Sequence, residues 1–340
     1  MHLLPYLLAA LVLVQASAPS DDSERARQLV LAGKAEEAIA IYNRLLRDFP
    51  DRVDLLLNLS IAEYNAKRFA DGAQHAEAAL KLKPDLAPAE LFLGASKLEL
   101  RQYSAAIDPL QKALSAMPAD RNASLMLAQA LLGAERYAEA AQAFTKASEL
   151  VPDSPRVWFG LGQAYDAQGQ YRKATPALRK AFQLAPGDAN IRLGLARTLF
   201  HSQDYEEVVS TLTDLLQQKP TLAEAEFLFG ASLLNLQQPQ AAVPHLESAL
   251  KADPQFHAAA AALGQALLQE GKPEQAIPYL KTGLLADADG NAHYQLFRAY
   301  QLTGNRQLAK QAFDAYTRYR AEMDQKRSRQ DQTPAAQPPN

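Results

Sequence analysis

Proline recurs in this chain at a fixed spacing of 34 residues, which is the feature that most restricts its fold. Seven prolines follow the spacing without a gap: Pro50, Pro84, Pro118, Pro152, Pro186, Pro220 and Pro254. Because the chain has only 20 prolines in 340 residues, this regularity indicates an internal repeat. Proline cannot continue a helical hydrogen-bond ladder, so each of these prolines is expected to stop a helix. A repeat of this length accommodates two short helices and two tight turns, which predicts an all-α array of antiparallel helix pairs.

Alignment on the prolines divides residues 19–324 into repeats that start at 19, 53, 87, 121, 155, 189, 223 and 257, with a poorer ninth repeat from about 290. The eighth repeat has Ala288 at the proline position. The clearest repeat, 155–188, carries Trp158, Leu161, Gly162, Tyr165, Gly169, Tyr171, Ala174, Ala181 and Pro186. These residues resemble the tetratricopeptide repeat pattern. The resemblance implies a right-handed superhelical solenoid of about eight to nine repeats.

Small and large residues alternate at fixed positions of the repeat, for reasons of packing. The eighth position is always small, with Ala26, Ser60, Gly94, Ala128, Gly162, Ala196, Gly230 and Gly264, and we expect it to face the small twentieth position across the helix pair. The seventh position is large and is expected to fill the core, with Leu59, Leu93, Leu127, Leu161, Leu195, Phe229 and Leu263.

Since one helix pair of this size cannot bury its own apolar face, neighbouring pairs must stack.

The turns and the remaining prolines have distinct expected roles. Glycine occupies the fifteenth position in three repeats, where a left-handed backbone can end the first helix, whereas other repeats place Lys67, Arg101 and Glu135 there. Four further prolines are expected within the first turns of second helices, as mild distortions, because apolar periodicity resumes after each of them: Pro109, Pro176, Pro244 and Pro278.

The amino-terminal segment predicts export. Residues 3–14 are almost wholly apolar and precede Ala16-Ser17-Ala18, which has the small-x-small form of a secretory cleavage site. We therefore assign residues 1–18 to a signal peptide that is cleaved after Ala18, leaving no membrane span in a periplasmic or secreted product. Only His2 precedes the run where Lys or Arg is typical, so an uncleaved membrane anchor and a buried capping helix remain alternatives.

The carboxyl-terminal segment departs from the repeat pattern. Residues 306–324 carry apolar side chains at helical spacing and predict a final helix with a polar outer face. Residues 325–340 contain almost nothing apolar and are expected to be disordered. The sequence has no cysteine, which excludes disulfides and thiolate chemistry.

Composition and motifs argue against catalysis and nucleic-acid binding. The 35 basic and 38 acidic residues give a net charge of −3, so no broad basic footprint for nucleic acid is expected. None of the six histidines belongs to a zinc-protease motif, and no phosphate-binding loop or nucleophile elbow occurs. The chain is therefore expected to act without enzymatic activity, metal or other cofactor.

Function is then expected on the inner wall of the superhelix. In the family this wall is built mainly from first-helix positions 2, 5, 6, 9, 12 and 13. Transferred by alignment, these positions give an apolar strip with polar edges, and contiguous apolar exposure often marks a binding site. The candidate groove residues are Leu57, Asn58, Tyr64, Leu91, Phe92, Leu125, Met126, Arg156, Phe159, Gln163, Leu193, Arg197, Phe200, Phe227, Leu228 and Leu234. Burial of some of these side chains between adjacent repeats is the alternative.

These observations predict a binding scaffold. The charged clamp that some family members use for acidic peptide ends is not assembled, since only Asn58 fits it whereas Ile61, Ala95 and Gln129 do not. We expect an exported, non-enzymatic scaffold that binds a protein or peptide with an apolar or amphipathic segment. The main alternative is a self-associating homo-oligomer without a separate ligand. Resemblance to the repeat half of certain sugar transferases is weaker, because no catalytic domain follows residue 324.

Overall fold

The computed structural model describes residues 21–218, 221–287 and 290–331, and within these ranges the chain is helical and has no strand. The described residues fall into two compact units, which divide between Ala185 and Pro186. We refer to them as the N-terminal unit and the C-terminal unit. Both consist of consecutive helix pairs, so the expected all-α repeat architecture is confirmed.

The N-terminal unit contains five helix pairs in the described residues. In chain order the helices are α1 (Asp21–Leu31), α2 (Ala35–Asp48), α3 (Val53–Asn65), α4 (Phe69–Leu82), α5 (Ala87–Glu99), α6 (Tyr103–Ala116), α7 (Arg121–Gly133), α8 (Tyr137–Leu150), α9 (Pro155–Asp166) and α10 (Tyr171–Leu184).

The C-terminal unit contains four pairs in the described residues. Its helices are α11 (Ala189–His201), α12 (Tyr205–Gln218), α13 (Ala223–Asn235), α14 (Pro239–Ala252), α15 (His257–Gln269), α16 (Pro273–Gly283), α17 (Asn291–Leu302) and α18 (Arg306–Asp331), with a short 3-10 helix at Leu284–Ala286 after α16.

Helix ends and turns follow the proline and glycine spacing. Six second helices end two residues before a repeat proline, as α2 does before Pro50, whereas Pro220 lies outside the described residues. The four additional prolines lie inside α6, α10, α14 and α16, as predicted. Gly33, Gly169 and Gly271 have φ values of 75°, 68° and 74°, and the turn position keeps this left-handed backbone without glycine at Lys67, Arg101, Glu135, Gln203 and Gln237.

Close contact between the two helices of a pair explains the small eighth position. A Cβ atom built on Gly162 would lie 2.4 Å from Leu178 Cγ, and one on Gly94 would lie 2.5 Å from Leu110 Cγ. The twentieth position takes part as expected, because the Cβ of Gly94 would also lie 3.3 Å from the carbonyl oxygen of Ala106. At Gly162 and Gly94 even the Cβ of alanine would therefore force the pair or the facing leucine to shift.

The boundaries predicted at the two ends of the chain differ in how they compare with the structure. The predicted signal peptide, residues 1–18, lies outside the described residues. The expectation of disorder from residue 325 is wrong for residues 325–331, because α18 continues to Asp331. This stretch is rich in glutamine, lysine and arginine, which are good helix formers and can extend a helix without packing. None of the described helices combines the length and apolar composition needed to cross a bilayer.

Candidate binding pockets on the first helices

The N-terminal unit contains a pocket of about 450 Å³ that brings together three of the predicted groove residues, Arg156, Phe159 and Gln163. We call it the N-terminal pocket. It lies among α5, α7 and α9, with contributions from the α5–α6 turn and from α6 and α8. Its other lining residues are Leu98, Glu99, Arg101, Tyr103, Gln129, Leu132, Gly133, Phe144 and Gly160.

The apolar surface of the N-terminal pocket comes from three successive first helices, two of which contribute a leucine at the same repeat position. Leu98 and Leu132 occupy the twelfth position of α5 and α7, and Phe159 occupies the fifth position of α9. All three side chains are partly exposed. Because repeats stack in register, the equivalent residues Leu98 and Leu132 adjoin, and Phe159 lines the same pocket from the next first helix. This surface can receive an apolar side chain of a ligand.

Two guanidinium groups lie at the N-terminal pocket and remain available for a ligand. Arg156 is in the first turn of α9, and Arg101 is in the turn after α5 with a left-handed φ of 58°. Within residues 21–218, 221–287 and 290–331, no carboxylate lies within 4.0 Å of either group. Gln129 and Gln163, at the ninth position of α7 and α9, add amide groups to the same pocket. The pocket therefore combines an apolar floor with donors suited to a carboxylate or a peptide carbonyl.

Glu99 is the acidic residue at this pocket, and it is engaged by a neighbouring repeat. Its charge lies close to the Tyr64 hydroxyl of the preceding repeat. Burial, reinforced by the Glu99 charge, raises the pKa of Tyr64, so Tyr64 remains a neutral donor. Tyr64 also contacts Phe69 and Phe92 edge to face, with centroid distances of 5.4 and 5.8 Å. Tyr64 therefore belongs to the packed interior and does not line the pocket.

The C-terminal unit has a pocket of about 440 Å³, the C-terminal pocket, among α11, α13 and the segment after α14. Four predicted groove residues line it: Arg197, Phe200, Phe227 and Leu228. The ring of Phe227 lies 6.2 Å from Phe200 and 4.8 Å from Phe256, measured between centroids. The remaining lining residues are His201, Ala223, Glu224 and Asp253.

The arginine of the C-terminal pocket is paired with a carboxylate of the same pocket. Arg197 Nε donates to Glu224 Oε1 at 2.7 Å. Asp253 adds a second carboxylate to the lining. This pocket therefore offers aromatic surface but no unpaired guanidinium comparable to that of Arg156.

Six of the predicted groove residues are buried, which corrects their assignment. They are Leu57, Tyr64, Leu91, Phe92, Met126 and Leu234. All six belong to the hydrophobic cores on which the helices of each unit pack. Leu228 is also buried, although it forms part of the C-terminal pocket wall. Asn58, Leu125 and Leu193 are half-buried and line neither pocket.

Several pocket residues were missed because they do not belong to first helices. Arg101 lies in a turn, Tyr103 begins a second helix, and Asp253 and Phe256 follow one. The one available signal was at the fifteenth position, where Arg101 replaces the glycine that the turn favours. A bulky charged residue that keeps a left-handed backbone at such a position indicates a local contact or a functional role.

Buried carboxylates on two first helices pair with histidines rather than with a metal cluster. Glu63 Oε2 lies 2.7 Å from His75 Nδ1, and Glu226 Oε2 lies 2.6 Å from His245 Nδ1. The hydrogen bond to Glu63 raises the pKa of His75, against the opposing effect of burial. In the part of the chain that the structure describes, no three His, Asp or Glu residues are grouped as metal ligands.

Comparison with protein-family models gives matches along most of the described chain. Three models, each described as "Tetratricopeptide repeat", match residues 24–87, 97–158 and 141–289. A search of curated proteins found no match.

Solved structures with similar helix arrays include two forms of MamA and the protein YrrB. MamA 41-end from Desulfovibrio magneticus RS-1 is 24% identical, with a TM-score of 0.46, over 51% of this chain and 99% of that chain. MamA AMB-1 is 25% identical, with a TM-score of 0.47, over 50% and 100%. YrrB, described as a TPR protein with an unusual peptide-binding site, is 19% identical, with a TM-score of 0.47, over 60% and 97%. Because these TM-scores are below 0.5, the functions of those proteins are not transferred to this chain.

Proposed function

Because the chain belongs to the tetratricopeptide repeat family, we propose that it is a non-enzymatic scaffold that binds a protein or peptide segment on its first helices. The ligand contacts are proposed at the N-terminal pocket, with the C-terminal pocket as a second apolar contact site. The partner segment carries at least one large apolar side chain and an acidic or carbonyl group near it.

The observation that carries this proposal is the combination of groups at the N-terminal pocket. Phe159 supplies a partly exposed aromatic floor, and Arg101 and Arg156 have no carboxylate partner among the described residues. Protein-binding sites concentrate their affinity in aromatic and arginine residues within such concave surfaces. A volume of about 450 Å³ is sufficient for one or two side chains of a bound segment.

The polar groups set the expected ligand chemistry. A guanidinium forms strong, directional hydrogen bonds to carboxylates and to peptide carbonyls. Gln129 and Gln163 can pair with a ligand backbone through both donor and acceptor atoms. An apolar side chain beside an acidic group would satisfy both kinds of surface, whereas a basic segment would be repelled by Arg101 and Arg156.

The same function is proposed to operate after export. The support is the apolar run at residues 3–14 and the small-x-small sequence that ends at Ala18. Mass spectrometry of the protein recovered from its native compartment should give a chain that begins at Pro19. A chain that retains Met1 and remains in the cytoplasm would refute export without affecting the pocket.

Site-specific photocrosslinking in cells tests the binding proposal. A photoreactive phenylalanine analogue at Phe159 should capture a distinct partner, and peptide mapping of the adduct should locate an apolar segment with acidic residues. Gln111, which is exposed on α6 and lies outside both pockets, is the matched control position. If Phe159 captures the same species as Gln111, or only another copy of this protein, the proposal fails. Capture of the same chain would favour the self-associating oligomer.

A further inference from the structure

The last described helix pair presents four aromatic rings on one face. Tyr294 and Phe297 come from α17, and Phe313 and Tyr316 come from α18. Centroid distances of 6.0, 5.0, 6.3 and 5.6 Å link the rings into a closed cluster. Phe313 is 42% exposed and Tyr294 is 40% exposed. We call these four residues the terminal aromatic face.

Phe313 occupies a position that is buried in every earlier repeat. Counted from repeat starts at 19, 53, 87, 121, 155, 189, 223, 257 and 290, it is the twenty-fourth position. The earlier occupants are all buried, none with more than 1% exposed: Tyr42, Ala76, Leu110, Phe144, Leu178, Leu212, Leu246 and Leu280. The exposure of Phe313 therefore comes from the end of the described array rather than from a change to a polar residue.

A following first helix is the element that covers this position. Phe144 of α8 lies against Gly160 of α9, so closely that a Cβ atom on Gly160 would lie 2.2 Å from Phe144 Cζ. No described helix of the C-terminal unit covers Phe313 in this way. The terminal aromatic face is thus shaped for one more helix that packs across α17 and α18.

The eighth position of the ninth repeat supports the same reading. Phe297 stands where every other repeat has glycine, alanine or serine. In earlier pairs a small eighth residue faces the leucine at the twenty-fourth position, as Gly162 faces Leu178, whereas here the Phe297 ring lies 5.0 Å from that of Phe313, measured between centroids. The substitution enlarges the aromatic surface that a docking helix would contact.

Basic side chains border the terminal aromatic face. Three basic residues of α18 lie on the same helix face as Phe313. Arg306 comes seven residues before Phe313, Lys310 three residues before it and Arg320 seven residues after it. Arg320 Nη1 donates to the Tyr316 hydroxyl at 3.3 Å, with its guanidinium 6.0 Å from the ring centroid. Asp324 lies one turn beyond Arg320 and is the one acidic residue on this stripe within α18 as far as residue 325. The rim is therefore predominantly positive.

We propose that the terminal aromatic face docks an amphipathic helix of a partner protein, with its apolar side on Phe313 and Tyr294 and acidic residues along its edge. The helix takes the place of a tenth first helix, and its acidic residues face Arg306, Lys310 and Arg320. This surface is separate from the proposed pockets and does not depend on them.

Other occupants fit less well. Residues 332–340 contain three prolines and no apolar side chain larger than alanine, so they offer no apolar helix face. Of the exposed residues of α1, Asp21, Arg25 and Gln28 are polar and only Leu31, at the end of the helix, is apolar, while Ala26 and Val30 are already buried. A second copy therefore offers a single exposed apolar side chain on this helix. Two copies joined through the same face would bring their basic stripes together, which like-charge repulsion disfavours.

Fluorescence anisotropy with two designed peptides tests the proposal on the full chain. The first is a labelled 16-residue helix with leucine and alanine on one face and glutamate on the other, and the second has lysine at every glutamate. We expect the glutamate peptide to bind and the lysine peptide to bind at least about tenfold more weakly. Phe313→Ala should weaken binding of the glutamate peptide roughly tenfold, since a side chain of this exposure contributes about that much when covered.

Two further variants control for loss of an exposed aromatic side chain elsewhere and for misfolding. Phe49→Ala removes an exposed phenylalanine that follows α2, and it should leave peptide binding unchanged. Lys310→Glu should weaken binding of the glutamate peptide and strengthen binding of the lysine peptide. Because Lys310 is exposed, this variant remains usable if Phe313→Ala impairs folding. The proposal is refuted if neither peptide binds, if Phe49→Ala and Phe313→Ala have equal effects, or if sedimentation shows a dimer that Phe313→Ala dissociates.

Discussion

Substitution of Gly162 by alanine should destabilise the protein through a clash with one identified side chain. Gly162 is the eighth residue of its repeat, and a Cβ atom there would lie 2.4 Å from Cγ and 2.7 Å from Cδ2 of Leu178. Cγ is a branch point close to the backbone, so rotation of the leucine end does not remove the contact. Either α9 and α10 must separate or Leu178 must leave its rotamer.

The magnitude follows from two opposing contributions. Overpacking of this kind costs about 1–3 kcal/mol, whereas alanine in place of glycine within a helix returns about 0.5–1 kcal/mol. The repeat that carries Ala196 buries Leu212 at the position equivalent to Leu178, so a pair can adjust to a Cβ here. We therefore expect a net loss of about 1–2 kcal/mol in the free energy of unfolding.

A double-mutant cycle isolates the clash. Leu178→Ala alone should cost about 2–5 kcal/mol, because it removes a fully buried leucine. In that background the Cβ of Gly162→Ala enters vacated space, so the second substitution should be neutral or stabilising by up to about 1 kcal/mol. The expected coupling is about 2 kcal/mol.

Urea unfolding followed by Trp158 fluorescence is the appropriate assay. Trp158 is the only tryptophan of the sequence and lies in α9, the helix of Gly162. Circular dichroism at 222 nm reports unfolding of the remaining helices. Equal costs of Gly162→Ala with and without Leu178 would show that the small eighth position is not required by the facing leucine, and the packing argument would be wrong.

Two further predictions concern backbone strain and pH. Lys67→Gly should raise the free energy of unfolding by about 1 kcal/mol, because Lys67 has a left-handed φ of 62° that glycine adopts without strain. Gly169→Ala should lower it by about 1 kcal/mol, because Gly169 has a φ of 68° and no atom lies near the added Cβ. Denaturant midpoints that move in the opposite directions would contradict this. The raised pKa of His75, which comes first from its hydrogen bond to Glu63, gives stability that is present below the unfolded pKa of about 6.5 and is lost as pH rises through the folded pKa. The stability advantage of the wild type over His75→Gln, measured by urea unfolding, should therefore decrease with increasing pH, and an advantage that grows with pH would refute the assignment.

The sequence predicts the helix ends well because proline and glycine act locally. A proline stops a helix through its own ring and missing N–H, and a left-handed turn position needs no distant contact, so Pro50 and Gly33 could be interpreted without a structure. The end of α18 was misplaced because lysine, arginine and glutamine are typical both of disordered tails and of exposed helices.

The candidate site was harder to predict because exposure on a first helix depends on the neighbouring repeat. Phe92 and Phe159 occupy adjacent inner-wall positions, yet Phe92 is buried and Phe159 forms a pocket floor. The periodicity of one helix indicates which side chains face inward but not which ones a neighbouring helix covers. Arg101 and Tyr103 reach the pocket from a turn and a second helix, which an inner-wall pattern does not include.

The affinity of the segment captured at Phe159 tests the central claim most directly. This segment, made as a synthetic peptide, is titrated against the wild type, Arg156→Glu and Arg172→Glu. Arg156 lines the N-terminal pocket, whereas Arg172 is exposed on α10 and lines neither pocket. Binding on the N-terminal pocket predicts that Arg156→Glu weakens the peptide at least about tenfold and that Arg172→Glu leaves the affinity unchanged. Equal affinities for all three proteins would show that the partner binds elsewhere and would contradict the proposed function.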